Sequence, residues 1–462
     1  MTGTVLVIGG GPAGSTSAAL LARAGHRVTL LERDRFPRYH VGESIAPSCR
    51  AIMEYSGVAE KVEARGYPVK RGVLLRWGAE KDWSVDWRDM FGEDIRSWQV
   101  DRADFDQVLL DHAAEQGARV VQEATVKQIH FEGGRAVAAG WEHQGRLNRM
   151  EFDHVVDASG RAGLLSARQF KNRERHDVFR NVAIWGYYRG AKLLPDTPSG
   201  GIDVISSPQG WYWVIPLKDD EYSVGFVTHQ TQFAQRRPKF ASLEEMFRAL
   251  VAESPTVREL VAGAAHEGRV RVEQDFSYVA DRFCGPGYFM AGDAACFLDP
   301  LLSTGVHLAM YSGMLSAAAI NAIEYRDVGE AEALGFYETL YRDSYARMLA
   351  LVSGMYRKYQ GRKHYFWLAQ TLLRDAGDEE PDSAFGAIVA GLTDLRDATT
   401  TGGVAPALGL IEAAGLAKGR AAEGQRASGV TSAPMKLDPG DLYDAASGLH
   451  LRTQGRLGIH RA

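Results

Sequence analysis

The sequence has no paired cysteines, no basic cluster and no internal repeat, and each absence removes a class of protein. Its three cysteines, Cys49, Cys284 and Cys296, are odd in number, far apart and never arranged as C-x-x-C, so neither a disulfide framework nor a metal site is expected. A reducing cytoplasm is the compartment that fits this usage. A net charge of -5, with no basic patch, leaves no electrostatic footprint for nucleic acid or for an anionic membrane, so neither is expected as a partner. The opening "MTGTVLVIGGGPAGS" shows no basic region or cleavage site, which argues against a signal peptide. No stretch reads as the roughly 18 consecutive apolar residues of a membrane-spanning helix. At 462 residues the chain exceeds one ordinary core, so two or three lobes are expected.

What is present begins with a βαβ unit. "TVLVIG" reads as a buried strand, "GGPAG" as a tight turn, "STSAALLARAG" as a helix closed by Gly25, and "HRVTLLE" as a second strand. Gly9, Gly11 and Gly14 form G-x-G-x-x-G between strand and helix, and Glu32 ends the next strand where a ribose-binding carboxylate belongs. Close backbone approach and a helix N-terminus suit a pyrophosphate. From about Gly66 to Val100, and again from about Asn181 to Phe276, strand-like patterns dominate. "GVHLAMYSGMLSAAAINAI" reads as a long apolar helix. The expected fold is α/β: a Rossmann-like dinucleotide-binding domain with an inserted antiparallel-sheet substrate lobe and a helical C-terminal region. The expected boundaries are 1–335 for the dinucleotide and substrate module and 336–462 for the helical part. Within the module the dinucleotide part covers about 1–66, 100–170 and 275–335, and the substrate sheet about 67–99 and 171–274. The stretch from Asp378 onward is rich in Ala, Gly, Thr and Ser and is not expected to build a dense core.

Two further stretches select FAD as the dinucleotide. "HVVDASGRAG" carries Asp157, Ser159 and Gly160, and "GYFMAGDAACFLDP" carries Gly292 and Asp293 before Pro300. With these the chain resembles the FAD-dependent aromatic monooxygenases and, more closely, the flavin-dependent halogenases, from residue 1 to about residue 370. "RYHVGESIAPS" matches the halogenase segment after the first βαβ unit, which implies Gly42, Glu43 and Ser44 as cofactor contacts, and "WQVDRADFD" matches with Arg102 as a flavin contact.

The resemblance implies a chemistry and assigns residues to it. "GWYWVIPL" carries Trp211, Trp213, Ile215 and Pro216 in the family's W-x-W-x-I-P order, implying an aromatic wall between flavin and substrate pocket; a tryptophan-rich core strand is the bland alternative. "GYPVKRGVLLRWG" is similar to the lysine-bearing strand of halogenases acting on phenols and pyrroles, including those of glycopeptide pathways, and puts Lys70 at the catalytic position. A buried lysine suits such chemistry, because its ammonium can polarise hypohalous acid, or its neutral amine can be halogenated. Lys81, in the polar "GAEKDW" turn, is the competitor. In "DPLLSTGVH", Thr304 and Gly305 fall where the family's backbone amides bind halide, before a helix whose dipole favours an anion; capping of that helix uses the same donors. Tryptophan halogenases carry a glutamate just before Ser-Thr-Gly, where this chain has Leu302. That departure favours a phenolic or similarly activated aromatic over free tryptophan. His307 reads as a core histidine rather than a substitute base.

The implied enzyme takes reduced FAD (FADH2), O2 and chloride or bromide, and halogenates an aromatic small molecule, free or tethered to a carrier protein, in secondary metabolism. A single dinucleotide fingerprint implies a separate flavin reductase. Two rivals remain: an NAD(P)H-dependent FAD aromatic hydroxylase, and a flavin-binding protein without catalysis. "RKHYFWLAQTLL", Arg362 to Leu373, resembles an aromatic stretch of the glycopeptide-type enzymes and is equally explained by burial.

Overall fold

In the computed structural model the described residues are 2–78, 82–357, 442–444 and 446–461. Lys81 and the Arg362–Leu373 stretch lie outside them.

The apolar run Thr4–Ile8 is the centre of a six-stranded sheet. It pairs in parallel with Arg27–Leu31 on one side and His154–Asp157 on the other. Arg119–Val121 and Tyr288–Met290 extend the parallel set, and the two-residue strand Cys284–Gly285 closes one edge antiparallel. Central parallel strands are covered on both faces, which explains why they read as unbroken Val, Leu and Ile rather than as an alternating pattern. One cover is the helix Pro12–Arg23. Behind it runs Gly305–Glu324, apolar on every side and almost wholly buried. By length and mean hydropathy that helix is long and apolar enough to cross a membrane, although His307, Ser312, Ser316 and Asn321 interrupt its apolar run; its burial identifies it as the core helix of this domain.

The second layer is an eight-stranded sheet, in the order Cys296–Phe297, Ala265–Ala280, Arg173–Arg189, Glu221–His229, Gly210–Pro216, Ile202–Ser207, Gly72–Arg76 and Trp83–Asp86. It runs past residue 274, reaching residue 280 and gaining 296–297. All its pairs are antiparallel except Ile202–Ser207 with Gly72–Arg76, which is parallel. Alternation along Gly210–Pro216 divides two cores. Trp211, Trp213 and Ile215 join the main core, while Tyr212 and Val214 pack on the other face against Met246, Phe247 and Leu250 of the helix Leu243–Glu253.

The C-terminal part departs from expectation. The boundary at 335/336 falls inside one continuous helix, Glu330–Arg357. The last described residues form a three-stranded antiparallel sheet, Tyr443–Asp444, Leu449–Arg452 and Gly458–Arg461, instead of helix. They are packed rather than loose: Leu449, Leu451 and Ile459 are buried, and Arg452 and Arg456 each reach Asp327 at 2.6 Å. Strands of two to four residues are too short to show a period in sequence.

Candidate active site

The nucleotide end of the site is made from backbone. Gly9 has φ +102°, and a Cβ there would stand 2.3 Å from the Ala158 carbonyl oxygen. At Gly14 a Cβ would stand 1.9 Å from the Gly9 carbonyl oxygen. Gly14 therefore sets the helix tight against the turn and does not line the cavity, whereas Gly9 and Gly11 do. Glu32 faces the same cavity, with one carboxylate oxygen accepting from the Gly10 amide at 2.6 Å and the other from the Asp34 amide at 2.8 Å.

From this cradle a cavity of about 630 Å³ runs past Gly42, Glu43, Ser44, Arg102, Ser159, Gly160, Gly292, Asp293 and Pro300 to Trp211, Trp213, Ile215, Thr304 and Gly305. An elongated space with a helix N-terminus and bare glycine backbone at one end fits a dinucleotide. Arg102, on the cavity wall, is held by a two-point pair with Asp106 at 2.9 and 3.0 Å and by a bond to the Val41 carbonyl at 2.7 Å. Glu43 accepts a 2.8 Å bond from the Tyr187 hydroxyl, and burial pushes its carboxyl up from the ordinary range. Burial also raises the Asp293 carboxyl, opposed by Arg161, Arg102 and Arg173.

Two expected contacts point elsewhere. Asp157 is buried behind the cavity, and its carboxylate accepts from the Ser159 and Leu165 amides at 3.0 and 2.7 Å. The tight turn after its strand leaves those amides otherwise without helix partners, so the aspartate serves the turn. Pro216 ends its strand beyond the cavity lining.

The tryptophan strand and the turn before Gly305 are joined through residues that sequence reasoning missed. The Trp211 and Trp213 rings lie 6.0 Å apart, and Trp213 and Trp185 6.2 Å. Trp211 Nε1 donates to the Tyr356 hydroxyl at 2.6 Å, and that hydroxyl donates to Asp299 at 2.8 Å. Asn181 donates to the same carboxylate oxygen at 2.8 Å, while the other oxygen caps the turn Pro300–Leu302 through the Leu301 amide at 3.0 Å. Burial lifts the Asp299 carboxyl to about 6. The available signal was Asp-Pro before a helix, which reads as a cap. After Ser303, at φ +58°, Thr304 and Gly305 open the helix Gly305–Glu324. The Thr304 hydroxyl is buried without a hydrogen-bond partner among the described residues, and a Cβ on Gly305 would meet nothing within 4 Å. Leu302 is buried beside them, and His307 is a core residue, bonded to Ser48 Oγ at 2.7 Å and stacked on Tyr311.

Lys70 lies behind the cavity wall and does not line it. It sits on a two-strand ribbon, Val69–Lys70 with Ser97–Trp98, and is only 3% exposed. Its Nζ makes one long bond, 3.4 Å to the Ile45 carbonyl, and stands 5.1 Å over the Trp87 ring. Burial lowers its ammonium to about 7, with the nearby Cys49 acting weakly the other way. An amine in this setting exists in both protonation forms near neutrality.

The tryptophan halogenase family model matches residues 4–97 and 95–380. The chain is 40% identical over 407 residues to the tryptophan 2-halogenase of Chondromyces crocatus, which covers 86% of this chain and 77% of that protein. Among solved structures it resembles CmlS, a flavin-dependent halogenase, with a TM-score of 0.72 at 30% identity over 89% of this chain and 70% of that one. It also resembles the myxobacterial chondrochloren halogenase CndH, a variant of the FAD-dependent halogenases, with a TM-score of 0.72 at 28% identity over 84% and 97% of the two chains.

Proposed function

The chain belongs to the tryptophan halogenase family of flavin-dependent halogenases, and from that membership we propose that it places chlorine or bromine on an electron-rich aromatic carbon through Lys70. The enzyme is an oxidoreductase using FAD as FADH2, halide and O2. Bound reduced flavin with O2 supplies the oxidising equivalents that turn halide into hypohalous acid. Members of the family generally take reduced flavin from a separate reductase. The three free, buried thiols support a reducing cytoplasm as its compartment.

The protein's own residues supply place and selectivity. Gly9, Gly11, Glu32, Gly42 and Arg102 would hold the dinucleotide, and Thr304 with Gly305 would hold the halide at a helix N-terminus, where amides and dipole favour an anion. Trp211, Trp213 and Ile215 form the wall that separates this oxidising end from the organic acceptor. The observation that carries the reading is Lys70: a fully buried amine, without a carboxylate partner among the described residues, whose burial favours the neutral form. That amine can take halogen from hypohalous acid with release of water, then pass it to a ring carbon that gives up its proton, regenerating the amine. Alternatively, the ammonium hydrogen-bonds the acid and polarises it for direct attack by the ring.

Leu302 in place of an acid before Ser303-Thr304-Gly305 supports a ring that needs little help, a phenol or a pyrrole, free or on a carrier protein. A second reading, an indole, is favoured by the name of the 40% identical relative; its position 2 belongs to the pyrrole half of an indole. The test supplies FADH2, O2 and chloride or bromide with free and carrier-bound phenols, pyrroles and indoles, and reads halogen isotope patterns by mass spectrometry. Halogenated product is expected from at least one activated ring. Oxygenated product alone, or NADPH oxidation without a reductase across the whole panel, sinks the reading in favour of a hydroxylase.

A further inference from the structure

Hypohalous acid made at the cavity has to reach Lys70, which the cavity does not touch, and beside the ribbon that carries Lys70 lie buried polar atoms without a hydrogen-bond partner among the described residues. Lys70 is directly opposite Ser97 in the antiparallel ribbon. Gln99, two residues on, shares the face of Ser97, and an isolated antiparallel bridge sets Ser44 opposite Gln99. Lys70, Ser97, Gln99 and Ser44 therefore project from one face. Two contacts agree with this placement: Lys70 Nζ and Ser97 Oγ both reach the Ile45 carbonyl, at 3.4 and 2.7 Å.

Ser44 lines the cavity, so this strip of side chains begins at its wall and ends at the amine. Ser44 and Gln99 are 6% and 0% exposed, and neither Ser44 Oγ nor Gln99 Oε1 has a hydrogen-bond partner among the described residues. The amide end of Gln99 is anchored by a 2.9 Å bond to the Gly200 carbonyl, which fixes its oxygen as the free end. Gly200 is itself locked against the ribbon: a Cβ there would stand 2.0 Å from the Val69 carbonyl oxygen and 3.4 Å from the Lys70 nitrogen. Buried polar atoms are normally satisfied, and two orphans on one short path beside a catalytic candidate mark a site for something that brings its own hydrogen bonds.

We infer that Ser44 and Gln99 form a transfer site for hypohalous acid between the flavin cavity and Lys70. The inference rests on the halogenase reading of Lys70. The acid is small and neutral, with one O–H donor and oxygen lone pairs. Ser44 offers both a donor and an acceptor at the cavity wall. Gln99 Oε1 accepts the O–H of the acid and leaves its halogen end for the amine.

The test compares Ser44→Ala, Gln99→Leu and Lys70→Met with the wild-type holoenzyme, measuring product formed per reduced flavin oxidised, and hypohalous acid escaping to an added scavenger. At saturating FAD, Ser44→Ala and Gln99→Leu are expected to cut the product yield per flavin oxidised about tenfold, the loss of more than one hydrogen bond's worth of guidance, with oxidant appearing in bulk. Ser44→Thr, which keeps the hydroxyl, should restore coupling. A second readout needs no flavin: FAD-free protein treated with hypochlorite should show a chlorine isotope pattern on the peptide bearing Lys70, reduced in both variants. Wild-type coupling in Ser44→Ala and Gln99→Leu overturns the transfer site while leaving the role of Lys70 intact, and so does a loss that merely tracks lost FAD. Continued halogenation by Lys70→Met overturns both. If Gln99→Leu does not fold, Ser44→Ala and its Thr rescue decide the question.

Discussion

The two ends of this site are built on opposite terms. The nucleotide end uses backbone: Gly9 and Gly14 leave room for one chain segment to touch another, and function and stability there depend on the same close contacts. The lysine end uses side chains held in an environment that disfavours them, with a buried amine and two buried oxygens that have no hydrogen-bond partner among the described residues. The difference teaches that damage at the first end should take folding and cofactor together, while damage at the second should remove chemistry and relieve the fold.

The largest effect expected is at Lys70. Lys70→Met keeps length and apolar volume but removes the amine, so halogenation should fall by at least about 100-fold, the scale of losing a nucleophile or proton-transfer group. FAD binding should be unchanged, and thermal unfolding should occur at the same or a higher temperature because no charge needs to be buried. A Lys70→Met protein that melts well below wild type would show that the amine is structural and erase the contrast between the two ends. Lys81→Ala, in the same assay, should behave as wild type.

Gly14→Ala breaks the other end. The added methyl on the helix meets the Gly9 carbonyl oxygen at 1.9 Å, and Gly9 is tied to the parallel sheet by its amide, which donates to the Leu31 carbonyl at 2.8 Å. The helix must shift, at a cost of about 1–3 kcal/mol for overpacking, and the same shift opens the cradle, so FAD affinity should fall by about tenfold or more. Differential scanning fluorimetry and FAD titration read the two losses on one sample. Weakened FAD binding with an unchanged melting temperature would separate what this end is argued to join.

What could be read in the sequence follows the same division. The Rossmann half was legible because its signals are local: a strand, three glycines and a helix start within a few residues, and Glu32 sits one strand later. The wall was expected from resemblance to the W-x-W-x-I-P signature, and alternation accounts only for Trp211, Trp213 and Ile215 sharing one face of their strand. Contacts set by register were not legible. Ser44 faces Gln99, and Lys70 faces Ser97, only because distant segments pair, and no local pattern announces it. Tyr356 reaches Asp299 from a helix that sequence reasoning cut in two. Asp157 shows the converse: motif position suggested a cofactor contact, and its carboxylate accepts from two amides of its own turn, a partnership no motif announces.

The smallest effect, and the one that discriminates most finely, is pH dependence. Burial brings the folded-state Lys70 down to about 7 from 10.5, so the neutral amine grows from about a tenth to about nine tenths of the population between about pH 6 and pH 8. If the amine takes halogen directly, single-turnover transfer measured by rapid quench should rise about tenfold over that window and then level off, and Lys70→Met should show no such step. A rate that instead falls through about pH 7 assigns catalysis to the ammonium form. Stability must move in a fixed sense beside it. Between about pH 7 and 10.5 the unfolded chain holds a proton on this lysine that the folded chain has lost, so wild-type stability should climb with pH across that range relative to Lys70→Met. Denaturant titrations of the two proteins at three pH values measure that slope, and its absence would mean that the amine is solvated and the lysine end is no more strained than the glycine end.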